Sequence, residues 1–221
     1  MTFATATGAK EVAVDVGHSI ATQGALSARG VPEFEYNLAL AREVATALER
    51  SGLQVRLIGA GGDIADLVSR PRAALGADLF VSIHHDSIKE RLLETWQHEG
   101  EVRRYNDRIS GFSLFVSREN PRLAASLACA SAIGRALRAK GFAPSRYHAD
   151  PELGASREFA DEPNGVHYFD HLAVVRHARM PALLFEAGVI VNRDEELRMR
   201  DPAVKQAIAD ALATGVGQCL N

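Results

Sequence analysis

The sequence predicts an α/β fold: a single domain with a twisted, mostly parallel sheet and helices on both faces. Three observations carry that reading. Short apolar runs alternate with segments of helical periodicity, in the order strand, helix, strand, helix, strand. The run Leu79, Phe80, Val81, Ile83 lacks polar alternation, as a strand covered on both faces does. A chain of 221 residues, 47% hydrophobic, has material for one ordinary core.

The first strand is Glu11–Val16, valine-rich and alternating, and it ends in Gly17-His18-Ser19. Ile20–Pro32 reads as a loop, with Gly24, Gly30 and Pro32. From about Glu35 to Ser51, Leu40, Val44 and Leu48 recur every four residues, which predicts a helix with one buried stripe and Gly52 as its C-terminal cap. Gln54–Ile58 is a second strand and Gly59–Gly62 a turn without the spacing of a phosphate loop. Asp63–Leu75 reads as short helical turns broken by Pro71, before the strand that ends in His84-His85-Asp86.

Ile88–Ile109 is charged and holds Trp96; it reads either as a solvated surface helix and loop or as a flap beside the site. Gly111–Ser117 is a strand, Pro121–Lys140 a helix with Pro in its first turn, and Ser145–His167 a polar loop. Leu172–Val175 reads as a short strand, Pro181–Phe185 as an apolar strand ending in Glu186, and Asp201–Gly215 as the final helix.

Charge and composition exclude some functions. The net charge is −3, and no Lys/Arg block forms a phosphate-tracking stripe, so no nucleic-acid partner is expected. No apolar run reaches membrane-spanning length. Met1–Ala9 lacks the basic start and apolar centre of a secretory signal. Cys129 and Cys219 lie far apart and read as two buried thiols, a disulfide being the other option.

Two strands deliver histidine at their carboxyl ends, where α/β sheets bind ligands, and a third delivers a carboxylate. His18, Glu33, His84 and Glu186 therefore gather at one sheet edge in this reading. Two imidazoles and a carboxylate form a recurrent catalytic zinc set with one position left open. A further carboxylate off the metal is what water activation then requires. The plain alternative is that the histidines are hydrogen-bonded core or loop residues. No HExxH helix is present.

At these residues the chain resembles the zinc-dependent N-acetylmuramoyl-L-alanine amidases of the Amidase_3 type, bacterial cell-wall enzymes. The segments that carry the resemblance are VAVDVGHS (Val12–Ser19), PEFEYNLAL (Pro32–Leu40), DLFVSIHHDS (Asp78–Ser87) and MPALLFEAGVIVN (Met180–Asn192), in the family's order. The resemblance implies one catalytic domain over 1–221, with Zn2+ held by His18, Glu33 and His84 and with Glu186 as catalytic carboxylate. It implies a peptidoglycan or muropeptide substrate, cleaved between N-acetylmuramic acid and L-alanine, and periplasmic or extracellular action. Glu33 is preferred to Glu35 because it stands four residues before Asn37, as in the family pattern. Ser19 and Ile20 depart from the family's small pair, and His85 from its Ala or Asn; alternation turns His85 away from His84, outward or into the core. Arg176 and His177 are candidates for substrate contact or for structural hydrogen bonds. His98, His148, His167 and His171 read as surface residues. A related zinc hydrolase on the same scaffold and a non-catalytic wall-binding domain are the competing readings.

Overall fold

The computed structural model describes residues 8–220; residues 1–7, most of the stretch read as lacking a secretory signal, lie outside the described residues. The strands are β1 (Glu11–Val16), β2 (Gln54–Ile58), β3 (Leu79–Asp86), β4 (Glu94–His98), β5 (Glu101–Tyr105), β6 (Ser113–Val116), β7 (Phe159–Asp161), β8 (Val166–Tyr168) and β9 (Ala182–Val189). The helices are α1 (Glu33–Arg50), α2 (Ser69–Ala73), α3 (Leu123–Ala139), α4 (Ala173–Arg176), α5 (Arg193–Arg200) and α6 (Pro202–Leu220). Seven strands form one sheet in the order β2-β1-β3-β9-β6-β8-β7. The half that carries the site, β2-β1-β3-β9, is all parallel; β6 runs antiparallel to β9, and β8 follows β6.

Strand alternation sorts the apolar side chains between two faces. Val12, Val14, Val16, Leu79, Val81, Ile83, Leu183 and Phe185 face the long helices α1, α3 and α6. Ala13, Phe80, Ala182, Leu184 and Phe115 face the thinner cover supplied around α2 and α4, with Val174, Val175 and Met180. Each fully buried leucine or isoleucine here stabilises the fold by roughly 1.5–3 kcal/mol relative to exposure. The expected stripe on α1 is present: Leu40, Val44 and Leu48 are all buried. Gly52, at φ 87°, turns the chain out of the helix, a conformation that costs glycine nothing sterically.

Several elements differ from the sequence reading. Leu172–Val175 is not a strand: α4 is one helical turn, and its Val174 and Val175 cap the thin face. Two valines raise strand propensity, but tertiary packing decides so short a segment. Ile88–Ile109 is not a surface helix; it holds the antiparallel hairpin β4–β5. Ser145–His167 is not wholly loop, since it contributes β7 and reaches into β8. α5 follows Asn192, whose side chain caps the N–H groups of Asp194 and Glu195. α6 runs past Gly215 to Leu220.

The cysteines are also not free thiols. Cys129 on α3 and Cys219 on α6 form a disulfide, Cα to Cα 5.0 Å. The two helices approach closely: a Cβ at Gly215 would lie 2.5 Å from the Ile133 Cα. The apolar surroundings that favour a buried thiol are the same ones that bring these two sulfurs together.

Candidate active site

β1 and β3 are hydrogen-bonded neighbours, so their carboxyl ends open on one point. Beyond β1 the chain turns sharply, with His18 at φ 68°, a region in which non-glycine residues are uncommon. A buried arginine holds that turn. Arg70, from α2, pairs with Asp15 at 2.7 Å and donates to the carbonyls of Val16 and His18. Ser82 donates to the other Asp15 oxygen at 2.6 Å.

Glu33 opens α1, where the helix dipole favours a carboxylate. Its Oε2 lies 2.9 Å from His18 Nε2 and its Oε1 3.0 Å from His84 Nδ1. The three donor atoms all lie within 4.8 Å of one another, and the set can hold a metal ion. Ligand atoms of a tetrahedral zinc stand about 3.4 Å apart, which falls inside that spread. Glu33 is buried, which opposes ionisation, but hydrogen bonds with His18 and His84 and the charge those rings carry when protonated outweigh burial. Its carboxyl is held well below the usual range. Glu35 is exposed and takes no part.

Two glycines keep the space around these rings. A Cβ on Gly17 would stand 2.3 Å from His84 Nε2, and one on Gly24 2.5 Å from Glu33 Oε2 and 2.7 Å from His18. Behind them, the Asn37 amide N–H donates to Glu33 Oε1 at 3.1 Å and its Oδ1 accepts from His85 Nδ1–H at 2.8 Å. His85 is thus a satisfied core residue on the α1 side. Burial lowers its pKa to about 3, so it is neutral. Asn37 sits one helical turn after Glu33, a spacing the sequence displays, but its bond to His85 required the fold.

Glu186 stands beside His84 in the β3–β9 register, on the same face of neighbouring strands. β9 continues to Val189, so Glu186 lies within the strand rather than at its end. Its Oε2 is buried without a hydrogen-bond partner among the described residues. Burial, then the nearby Asp86 and Glu33 carboxylates, push its pKa well above the usual range. On the other side, Asp86 meets His148 Nε2 at 2.5 Å.

The remaining histidine readings divide. His148 and His167 are not surface residues: the first packs on Phe115, and the second is fully buried and stacked on Phe159 at 4.3 Å. Their sequence surroundings are polar because the loop lies over the sheet with its apolar residues inward. His98 stacks on Trp96, and His171 is exposed. Arg176 and His177 are exposed at the amino end of β9, away from the edge bearing His18 and His84, and Arg176 pairs with Glu119 at 2.7 Å.

Known proteins share this architecture. The catalytic domain of CwlV, an N-acetylmuramoyl-L-alanine amidase from Bacillus (Paenibacillus) polymyxa var. colistinus, is 26% identical, with a TM-score of 0.71 over 96% of this chain and 98% of that one. The amidase Ami1 from Mycobacterium smegmatis shares the fold at 20% identity, with a TM-score of 0.74 over 96% of both chains. A probable cell wall amidase, LytH from Staphylococcus aureus, is 23% identical over 209 residues, 94% of this chain; the match spans only 57% of that relative's length. The family-wide sequence model described as N-acetylmuramoyl-L-alanine amidase matches residues 12–218. From this match, over nearly its whole length, the chain belongs to the Amidase_3 family of N-acetylmuramoyl-L-alanine amidases.

Proposed function

We propose that this chain is a zinc-dependent hydrolase of the amide bond between N-acetylmuramic acid and L-alanine in peptidoglycan. His18, Glu33 and His84 hold the metal in this reading, and Glu186 carries the proton. The observation that supports it is the convergence of three donor atoms within 4.8 Å beside a carboxylate whose buried oxygen has no partner among the described residues. Such an oxygen destabilises the fold, and a binding module gains nothing by keeping it. Zinc, when bound, supplies Lewis acidity that acidifies a water and polarises the amide carbonyl.

The chain's own residues do the rest. Asn37 and the backbone N–H of His85 orient Glu33. Arg70 fixes the turn that presents His18. Glu186 takes the proton of the attacking water as the new C–O bond forms. It then returns a proton to the L-alanine nitrogen as the C–N bond breaks, leaving a lactyl carboxylate and a free stem peptide. A carboxyl pushed above its usual range is the stronger base for the first step.

The disulfide between Cys129 and Cys219 supports action outside the reducing cytoplasm. Among the described residues no helix is long and apolar enough to cross a membrane. The test is substitution. Glu186→Gln is expected to keep zinc and lose about 100-fold or more of stem-peptide release. His84→Ala is expected to lose the metal by elemental analysis. Mass spectrometry of the muropeptide products should show intact sugars and an intact peptide; an internal peptide cut, or a lost acetyl group, points instead to another hydrolase of this scaffold.

A further inference from the structure

Residues 102–104 of β5, with Ala25, Leu26 and Gly30 of the loop before α1, line an open cavity of about 370 Å³, within the usual size range of ligand pockets. It adjoins the metal-competent triad. Ala25, on its wall, has its N–H 3.3 Å from Glu33 Oε2, and Ser87 lines it just beyond the end of β3. Ala25 thus touches both the triad and the cavity, and an extended peptide advances about 3.4 Å per residue from one toward the other.

The lining is of mixed chemistry. Leu26 and Val102 are 54% and 64% exposed, large apolar side chains held in water. Arg103 lines the same cavity. Its guanidinium lies flat on Gly30, where a Cβ would come within 2.5 Å of Cζ. Its Nε is buried without a partner. Among the described residues its only ion pair is with Glu101, at 2.7 Å, a side chain 66% exposed on the same strand. The hairpin is anchored: Trp96, which faces Arg103 across β4–β5, donates to the Ala28 carbonyl at 3.0 Å. Arg103 is therefore a preplaced cation whose one counter-ion is a solvated neighbour, easily exchanged for a ligand carboxylate.

We propose that this cavity receives the stem peptide and that Arg103 selects it by a carboxylate on the residue following L-alanine. The apolar walls take the small alkyl side chains, and the guanidinium takes the acid. The inference rests on the amidase reading and adds to it a specificity residue on the hairpin.

The test uses two muramoyl tripeptides, each joined to its third residue through the γ-carboxyl of D-glutamate, that differ only in whether the α-carboxyl of that D-glutamate is free or amidated. The zinc-loaded wild-type protein is expected to show a KM about tenfold lower for the acid, the size of one charge-assisted hydrogen bond. Arg103→Met should remove that preference with kcat within about twofold, and Arg103→Lys should restore part of it. If Arg103→Met disturbs the hairpin, seen as a shift in Trp96 emission, Glu101→Gln carries the test. It frees the guanidinium and should lower KM for the acid alone. Equal KM values for both substrates in the wild type, an acid preference that survives in Arg103→Met, or no KM change in Glu101→Gln overturns the proposal. Absence of cleavage of either substrate would sink the amidase reading itself, a separate outcome.

Discussion

Gly17 and Gly24 show what the site demands of single residues. Neither carries a functional group, yet each sits where a methyl would strike a ring or carboxylate of the triad. Gly17→Ala is expected to push the His84 imidazole aside and weaken zinc binding by about 10–100-fold, the range seen when groups that orient a ligand are disturbed. Competition with a chelator measures it, with circular dichroism to verify the fold; unchanged affinity would show that the ring relaxes freely. Glu33 and Glu35 make the complementary point. They are two residues apart and chemically alike, but the helix turns one inward and leaves the other in water. The family pattern around Asn37 favoured Glu33 in the sequence, and one helical turn places Asn37 against Glu33 in the fold.

Among the elements, α6 and the β4–β5 hairpin were the hardest to read in sequence. The disulfide closes a loop with a separation of 90 residues and staples the end of α6 to α3. In the chain-entropy account a closure of that length stabilises by about 4–5 kcal/mol. Reduction, or Cys129→Ala with Cys219→Ala, is expected to lower stability by that amount, read from denaturant midpoints with and without reductant. The fold itself should persist, because Ile208, Leu212 and Val216 remain buried. The hairpin hid behind its charges. Its strands alternate, and its turn, Glu99-Gly100, takes positive φ at both positions, the geometry that suits a two-residue hairpin. The Glu-Gly pair was visible, but the outward charged residues resembled a solvated helix. The inward ones, Trp96 and Arg103, have partners on a loop far earlier in the chain.

For the whole molecule, buried histidines tie stability to pH. Burial lowers the pKa of His167 to about 4 and of His85 to about 3, against 6.5 when free. Between the two values the unfolded chain binds more protons than the folded one, so stability rises with pH and falls as pH drops below about 6.5. The loss continues until the folded-state values are passed. At about pH 5, His167 alone accounts for roughly 2 kcal/mol of that loss. Neither of its ring nitrogens has a hydrogen-bond partner among the described residues, and it lies stacked on Phe159 and near Phe115. His167→Phe is therefore expected to flatten the acid side of the stability curve by about that amount, compared in urea unfolding near pH 7.5 and pH 5. An unchanged slope would mean that His167 already gains its proton in the folded state.

The sequence by itself determined the α/β class, the strands β1, β2, β3, β6 and β9, the stripe on α1, and the histidines that follow the apolar runs of β1 and β3. Each leaves a local trace: an apolar run, a four-residue recurrence, or a polar group where a run stops. Only the tertiary structure decided that β6 reverses against β9, that Cys129 meets Cys219, that His148 packs on Phe115 and His167 is buried, and that Arg103 lines a cavity between the hairpin and the loop after β1. These depend on partners tens of residues away. Burial and pairing across such distances are settled by packing against the sheet, which no local periodicity records.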